Sequence, residues 1–470
     1  MDKIKNWYHK LKDISQEHVL KYYDDLQEKE RKLLLDQISH VDFDLLRQCI
    51  ALLKKKSGTG HYIPGTLEPM NVIELPKTKA EKQEYKKAYD LGEKLISEGK
   101  VGTILVAGGQ GTRLGFDGPK GTFPVGPITN RSLFQYHTEK ILARERKLNA
   151  AIPYYIMTSE LNYLQTKQFF EQHDYFKKNK DSFVFFSQGM LPSLSANGKM
   201  YLSDKNKINV APDGHGGLMR ALFVNKLIDD MQKRGIEYLY YFQVDSPLAN
   251  VCDPAFVGYH VLKNADMSAK TVYKRGPYES LGNIGKVDGK NVVIEYSELS
   301  RKEMEERNPD GRLRFGQGSI GIHVFSVNFF RRLRDEKQYL PYHIAHKKIP
   351  YIDDSGHLVR PAEPNGYKFE QFIFDAFPFA KKIMVLETDR QNDFSPIKNK
   401  DGFDSPHTAR QDLSNVFAKW LEQAGFNVNR DDNGNPFENI EISPLYAMNG
   451  KEFVNRKPEH NVNKDGYLFE

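Results

Sequence analysis

Between Thr103 and Pro127 the chain reads TILVAGGQGTRLGFDGPKGTFPVGP, and no other stretch limits the possible folds as strongly. A short apolar run, Ile104-Leu105-Val106-Ala107, has Gly102 before it and glycines after it, the pattern of a buried parallel strand. Gly108, Gly109, Gly111, Gly115, Gly118, Gly121 and Gly126 follow. Glycine at this density admits positive φ and lets backbone N–H groups come close to a ligand. Successive N–H groups in such a turn form a concave anion site. Arg113 and Lys120 add two cations to the same loop. A glycine loop with an arginine and a lysine, at the carboxyl end of a strand, suits a polyphosphate.

Other phosphate loops fit less well. A dinucleotide-binding turn needs G-x-G-x-x-G running straight into a helix. From Gly109 the spacing here is G-x-G-x-x-x-G, and Pro119, Pro124 and Pro127 prevent an immediate helix. That disfavours an NAD-dependent dehydrogenase. The Gly-to-Lys-Ser/Thr spacing of a P-loop is absent. A connection with no ligand is the remaining alternative, but a loop of about twenty-five residues inside a domain is usually functional.

The 470 residues allow two or three domains, and 39% apolar residues support a large core. No run of eighteen apolar residues marks a transmembrane helix, so no membrane partner is expected. The opening MDKIKNWYHKLKDISQ has no apolar signal region. With only Cys49 and Cys252, both read as packing residues, the expected compartment is the reducing cytoplasm. A net charge of +6 suits acidic small molecules and is too diffuse to indicate nucleic acid.

Three regions are expected. Residues 1–98 form a helical N-terminal region, with Leu33, Leu34, Ile38 and Val41, then Leu45, Leu46, Ile50 and Leu53, at helical spacing. Lys54, Lys55 and Lys56 suit a helix C-terminus, and Gly58, Gly60, Pro64 and Gly65 then break the structure. Another helix is expected over 78–98. Residues 99–390 alternate strand, loop and helix. Strands are expected at 102–107, 152–157, 183–186, 237–244, 291–296, 319–326 and 383–387, and helices at about 132–147, 160–172, 217–234 and 367–378. This alternation predicts an α/β fold with a doubly wound, mostly parallel central sheet and ligands beyond the carboxyl ends of its strands. Residues 391–470 form a small, polar C-terminal domain with one helix at about 407–424.

Further constellations carry chemistry. Gln188, in Gln188-Gly189-Met190-Leu191-Pro192, offers an acceptor and donors to a base edge, or is a turn residue in water. Ala211-Pro212-Asp213-Gly214-His215-Gly216-Gly217 precedes a helix, where glycines favour an anion or a nucleotide edge and a plain loop would explain them equally. Asp245, at the tip of YLYYFQVD, suits Mg²⁺, which takes one or two carboxylates plus phosphate oxygens; a cap before Ser246-Pro247 is the alternative. Glu295 and Tyr296, at a strand end, suit sugar hydroxyls. Lys368 and Lys398 alone read as solvated charges.

The signature loop, with Leu105, Ala107, Gly108-Gly109, Gly111-Thr112-Arg113-Leu114-Gly115 and Pro119-Lys120-Gly121, resembles that of the UDP-N-acetylhexosamine pyrophosphorylases and related UDP-sugar pyrophosphorylases. The resemblance runs from about residue 100 to about 410, and more loosely through the N-terminal part. It implies a uridylyltransferase that makes a UDP-sugar and pyrophosphate from UTP and a hexose 1-phosphate, with Mg²⁺ held partly by Asp245. It also implies phosphate-facing roles for Arg113, Lys120, Lys368 and Lys398. Ala107, Gly108 and Gly109, with Gln188 and Gly214, are implied at the uracil, and Gly111 and Thr112 at the nucleotide. Glu295, Tyr296, His215 and Ser319 are implied at the sugar. His215 and Ser319 stand where that family usually carries asparagines, which leaves the choice between N-acetylglucosamine 1-phosphate and glucose 1-phosphate open, with a lean to the former. A broad UDP-sugar enzyme and a non-catalytic sugar-nucleotide sensor are the alternatives.

Overall fold

The structure is a computed structural model describing residues 2–55, 65–296, 298–458, 462–463 and 466–470. Lys56, Gly58, Gly60, Pro64 and Ser297 lie outside the described residues. The chain divides into two compact units. One gathers Met1–His61, Gln188–Ala221 and Tyr339–Asp375, and the other Tyr62–Ser187, Leu222–Gln338 and Ala376–Glu470.

The second unit is built on a ten-stranded sheet. Its centre is parallel: Val101–Val106 lies between Tyr154–Thr158 and Tyr238–Gln243, and Phe183–Ser187 pairs beyond Tyr154–Thr158. These strands are almost continuously apolar because both faces are covered. On one face Leu105, Ile156 and Phe242 share a core with Leu133, Phe134 and Ile141 of the helix Leu133–Leu148. On the other, the Tyr155 hydroxyl donates to Asp230 at 2.8 Å and Phe325 packs on Phe330 at 4.9 Å. Past Tyr238–Gln243 the sheet turns antiparallel at Gln317–Ser326 and Met267–Tyr273, and Ile383–Glu387 runs parallel to the latter. The α/β expectation therefore holds, with a parallel centre inside a mixed sheet.

Helices Lys79–Ser97 and Pro254–Leu262 pack backbone to backbone. A Cβ on Gly92 would stand 1.8 Å from the Pro254 carbonyl oxygen, so only glycine permits this approach. The helix Pro406–Gln423 places Leu413, Phe417 and Leu421 in the same core as Ile440, Ile442, Phe453 and Phe469.

In the first unit, helices Glu28–His40 and Phe43–Lys55 pack Leu34, Ile38 and Leu46 in one core with Leu191, Leu194, Leu202 and Ile208. Leu33, at the same nominal spacing, is 52% exposed and lies off that face. His343–Lys347, Gly366–Glu370 and Leu194–Ser195 form a three-stranded sheet.

Two expected helices change. Residues 367–378 are the strand Gly366–Glu370 followed by a 3-10 turn over Ile373–Phe379. Phe369, Phe372, Ile373 and Ala376 mimic helical spacing, but strand partners from distant segments capture the first half and Pro378 interrupts the second. The expected 217–234 helix is two, Gly217–Val224 and Leu227–Lys233, broken where Lys226 takes φ +54. No helix among the described residues is long and apolar enough to cross a membrane.

Two fully buried histidines, His137 and His260, should make the stability depend on pH, and His260 shows how. His260 is fully buried with Nδ1 2.7 Å from Ser268 Oγ and Nε2 3.0 Å from Ser326 Oγ. Ser326 donates its own hydroxyl to the Ala265 carbonyl, so Nε2–H is the donor to Ser326 and Nδ1 accepts from Ser268. Burial pushes this imidazole down to about 3. The unfolded chain therefore takes up a proton below about pH 6.5 that the folded chain refuses, and stability falls with pH by up to about 1.4 kcal/mol per unit. His260→Gln is expected to flatten the loss of Tm between pH 7 and pH 5, read by thermal melts. Equal pH dependence in both proteins would rule out this ring as a source.

Candidate functional site

The glycine loop leaves the sheet at Ala107, whose N–H donates to the Met157 carbonyl at 2.8 Å. It then folds on itself. Gly111 N–H donates to Gly118 O at 2.9 Å, Phe116 N–H to Gly111 O at 3.1 Å and Lys120 N–H to Gly109 O at 3.1 Å. Two 3-10 turns, Thr112–Leu114 and Lys120–Thr122, complete it. The glycines have different tasks. A Cβ on Gly121 would stand 2.2 Å from the Phe134 ring, so that glycine admits the helix beneath, whereas Gly109 has nothing within 4 Å and faces open space.

Two residues holding this loop escaped the sequence reading. Asn162 and Ser159 are almost completely buried. Asn162 Nδ2 donates to Ala107 O at 2.9 Å and to Gly109 O at 3.3 Å, and Ser159 Oγ donates to Gly108 O at 2.9 Å. They orient three consecutive carbonyls, and hence the peptide planes of the loop. The available signal was Ser159-Glu160-Leu161-Asn162 directly after a strand, the pattern of a helix cap. Asn162→Ala is expected to lower kcat/KM for UTP by about tenfold, as a buried polar partner worth roughly 1–3 kcal/mol is lost. Steady-state kinetics checks this, and an unchanged kcat/KM would show that the loop holds its shape alone.

Asp245 follows the strand Tyr238–Gln243, with its main-chain oxygen accepting from Ile397 N–H at 2.9 Å. Ser395 N–H donates to Ser246 Oγ at 3.1 Å, so the Ser395–Lys398 segment is drawn alongside from far down the chain. Lys120 Nζ reaches Asp245 Oδ2 at 3.2 Å, and both side chains are 17% exposed. Burial pushes the Asp245 carboxyl up, but the Lys120 and Lys398 ammonium groups outweigh it and hold the acid below the usual carboxylate range. The group is thus held as a carboxylate by the ion pair to Lys120 and by the charge of Lys398. Lys398 Nζ also lies 3.9 Å from Asp404 Oδ2. Arg113 is exposed on the Thr112–Leu114 turn, and Thr112 is exposed beside it. The structure therefore brings the loop, Lys120, Asp245 and Lys398 together.

Glu295, Tyr296 and Ser319 belong to the same unit. Glu295 sits in a tight turn, its N–H donating to Glu298 Oε2 at 2.8 Å, and Tyr296 is 42% exposed. Ser319 N–H donates to Gly282 O at 2.8 Å where Gln317–Ser326 bulges against Met267–Tyr273. Gly321, at φ +70, makes the bulge possible.

Gln188, Gly214, His215 and Lys368 belong to the other unit. Gln188 is 6% exposed, so the turn residue in water does not apply. Gly214 has φ +85, and a Cβ there would stand 2.5 Å from the Gln371 carbonyl oxygen. Gln371 N–H donates to Asp213 O at 2.7 Å and Gly216 N–H to Gln371 O at 2.8 Å, so these glycines also serve close backbone packing. His215 Nδ1 accepts from Ile373 N–H at 3.2 Å, and its ring stacks on Phe372 at 5.4 Å. Asp213 is 2% exposed, and burial pushes its carboxyl up to about 7 against the pull of Arg220. Lys368 lies in the strand Gly366–Glu370, opposite Ala345. Among the described residues no three His, Cys, Asp or Glu side chains group as a metal cage.

Comparison with known proteins adds to this geometry. The family model described as "UTP--glucose-1-phosphate uridylyltransferase" matches residues 66–430. The chain is 36% identical over 488 residues to the UDP-N-acetylhexosamine pyrophosphorylase-like protein 1 of Xenopus tropicalis, covering 98% of this chain and 95% of that one. It is 37% identical over 435 residues to the UDP-N-acetylglucosamine pyrophosphorylase of Saccharomyces cerevisiae, covering 88% and 90%. The crystal structure of the uridine diphosphate N-acetylglucosamine pyrophosphorylase from Trypanosoma brucei in complex with inhibitor superimposes with a TM-score of 0.79 at 29% identity, covering 95% and 93%.

Proposed function

The chain belongs to the UTP–glucose-1-phosphate uridylyltransferase family, and from that premise we propose that it transfers the uridylyl group of UTP to N-acetylglucosamine 1-phosphate. The observation that carries this reading is the Asp245 carboxylate, held ionised by Lys120 and Lys398, at the end of a glycine loop. A phosphate oxygen of the sugar phosphate attacks the α-phosphorus of UTP in line. One P–O bond forms, the bond to the β-phosphate bridging oxygen breaks, and pyrophosphate leaves with that electron pair. The attacking group is already an anion, so the protein needs no nucleophile of its own. Its contribution is positioning and charge neutralisation.

Lys120 and Arg113 neutralise charge developing on the α-phosphate and the leaving pyrophosphate, with Lys398 and Lys368 as further phosphate cations. Gln188, Gly214 and the backbone of Ala107, Gly108 and Gly109 read the uracil, with Gly111 and Thr112 shaping the nucleotide loop. A single buried carboxylate fits Mg²⁺, which asks for one or two carboxylates plus phosphate oxygens. Asp245 would hold the ion with the nucleotide's phosphates, where it supplies positive charge. Excess EDTA should then abolish turnover. Selection of the base follows from a fixed donor at the uracil carbonyl, so kcat/KM for CTP should fall well below that for UTP. Cys49 and Cys252, both buried free thiols, suit the cytoplasm.

The choice of sugar rests on Ser319 and on the matched relatives named for N-acetylglucosamine. Glu295 and Tyr296 address hydroxyls that both candidate sugars carry. His215, stacked on Phe372, lends ring bulk more than hydrogen-bond variety. The test is pyrophosphate release with UTP and each sugar 1-phosphate. The wild type should prefer the N-acetyl sugar at least several-fold, and Ser319→Asn should move the ratio further that way. A ratio unmoved by the substitution removes residue 319 as the selector. No pyrophosphate with any sugar phosphate would favour the sensor instead.

A further inference from the structure

The larger unit contains a cavity of about 460 Å³, walled partly by the segment that follows Asp245. That volume lies within the usual range of small-molecule sites. The helix Pro406–Gln423 contributes Leu413, Phe417 and Trp420, the last two in edge contact at 5.4 Å, and Met448 continues the apolar wall. Asn250 stands on the opposite chain segment. Lys140 of the helix Leu133–Leu148 adds a cation.

Lys140 is unusual in its partners. Its Nζ donates to the carbonyls of Pro247 at 2.5 Å and Ala249 at 2.8 Å. Among the described residues no carboxylate lies within ion-pair distance of it. Lys178 and Lys270, buried in the same unit, are both ion-paired: Lys178 to Glu145 at 2.5 Å, and Lys270 to Asp253 at 2.8 Å and to Asp393. Lys140 thus has carbonyl partners and no direct ion pair, in a cavity that Phe417, Trp420 and the carboxylate Asp389 also line. Burial pushes its ammonium down to about 7, partly offset by Asp393, so an anion at this place would restore its charge.

We propose that this cavity is a second ligand site, for a small amphipathic organic anion with a flat apolar body against Phe417 and Trp420 and an acidic group at Lys140. None of the candidate nucleotide or sugar residues lines it. The acidic group takes the third N–H of the ammonium and draws it away from the Pro247 and Ala249 carbonyls, which hold the other two. Occupancy therefore loosens the segment from Asp245 to Asn250, which is otherwise tied down by Lys140 and by Asn250 N–H donating to Asp393 at 2.7 Å. Turnover should fall when the site is filled. That coupling rests on the uridylyl-transfer reading, whereas binding does not.

The test uses the full chain and 1-anilinonaphthalene-8-sulfonate as the probe. The sequence has two tryptophans, Trp7 and Trp420, so Trp7→Phe leaves Trp420 as the only donor for energy transfer to the dye. Saturable transfer at one probe per chain is expected, persisting with UTP present. N-phenyl-1-naphthylamine, the same body without the sulfonate, should bind at least tenfold more weakly. Lys140→Met should weaken the anionic dye at least tenfold while the melt stays cooperative; if that variant does not fold, the neutral dye decides the role of charge. Absent transfer from Trp420, equal binding of the two dyes, or strictly competitive displacement, with no transfer left at saturating UTP, would each overturn the site, whereas a partial loss of dye affinity is the reciprocal of the coupling. Unchanged pyrophosphate release from the dye-saturated enzyme would overturn the coupling alone, and a failed uridylyl-transfer reading would leave the fluorescence results standing.

Discussion

Asp245→Ala is expected to lower kcat by about 10²- to 10³-fold, the scale of losing one preorganised charge in a water-poor site. The carboxylate pairs with Lys120 and feels the charge of Lys398, which together hold it ionised. Removing it frees two cations that would then bind UTP phosphate more tightly in the ground state. KM for UTP should therefore stay level or fall while kcat collapses, the pattern of an interaction needed in the transition state. Asp245→Asn keeps the shape and one acceptor but not the charge, and should lie close to Asp245→Ala. Steady-state kinetics over a Mg²⁺ titration checks this. A kcat that high Mg²⁺ restores fully would assign Asp245 to metal affinity alone. Arg113, exposed on its turn, gives the complementary case. Arg113→Ala should lower kcat by roughly 10²-fold with a smaller change in KM for UTP, and a change confined to KM would mark a ground-state role.

Glu441→Ala should destabilise the larger unit by about 3–5 kcal/mol, as expected when one partner of a buried ionic cluster is removed. The Glu441 side chain is fully buried and accepts from Ile128 N–H and Thr129 N–H, both at 2.7 Å, from Thr129 Oγ1 at 2.6 Å and from the Tyr136 hydroxyl at 3.0 Å. It also receives Arg131 Nη1 at 2.9 Å, while Arg131 reaches Glu139 and Glu470. Those groups hold Glu441 below the ordinary glutamate range against its burial. With Glu441 gone, its donors lose their acceptor and the Arg131 charge is left under-compensated. Chemical denaturation should show a lower midpoint at unchanged slope. A loss under 1 kcal/mol would mean that water enters and replaces the carboxylate. Because Glu441 lies on Ile440–Ile442, far along the chain from Arg131, this cluster fastens the C-terminal residues to the turn that ends the glycine loop.

Much of the local geometry of the candidate site was legible because its logic is local. The Val101–Val106 strand, the glycines after it and the prolines that forbid a helix lie within one continuous stretch. Asp245 was legible because a carboxylate ends an apolar strand. Asn162 and Ser159 were not, since a polar residue after a strand reads as a cap until its partners, the loop carbonyls, are seen. Gly121 and Gly214 looked like ligand glycines, and both meet protein atoms within 2.5 Å of a would-be Cβ. Lys368 was placed on a helix by the spacing of its apolar neighbours, yet it belongs to a strand whose partners come from elsewhere in the chain.

By itself, the sequence determined the α/β alternation, the glycine-rich, doubly cationic 103–127 loop and the family resemblance, because backbone propensity, glycine content and charge act over a few residues. Only the tertiary structure decided that Lys398 joins Lys120 at Asp245, that the sheet turns antiparallel past Tyr238–Gln243, and that Gly366–Glu370 is a strand. Those outcomes depend on which distant segment supplies a hydrogen-bond partner or a countercharge, and long-range pairing overrides local propensity wherever burial makes an unpaired polar group costly.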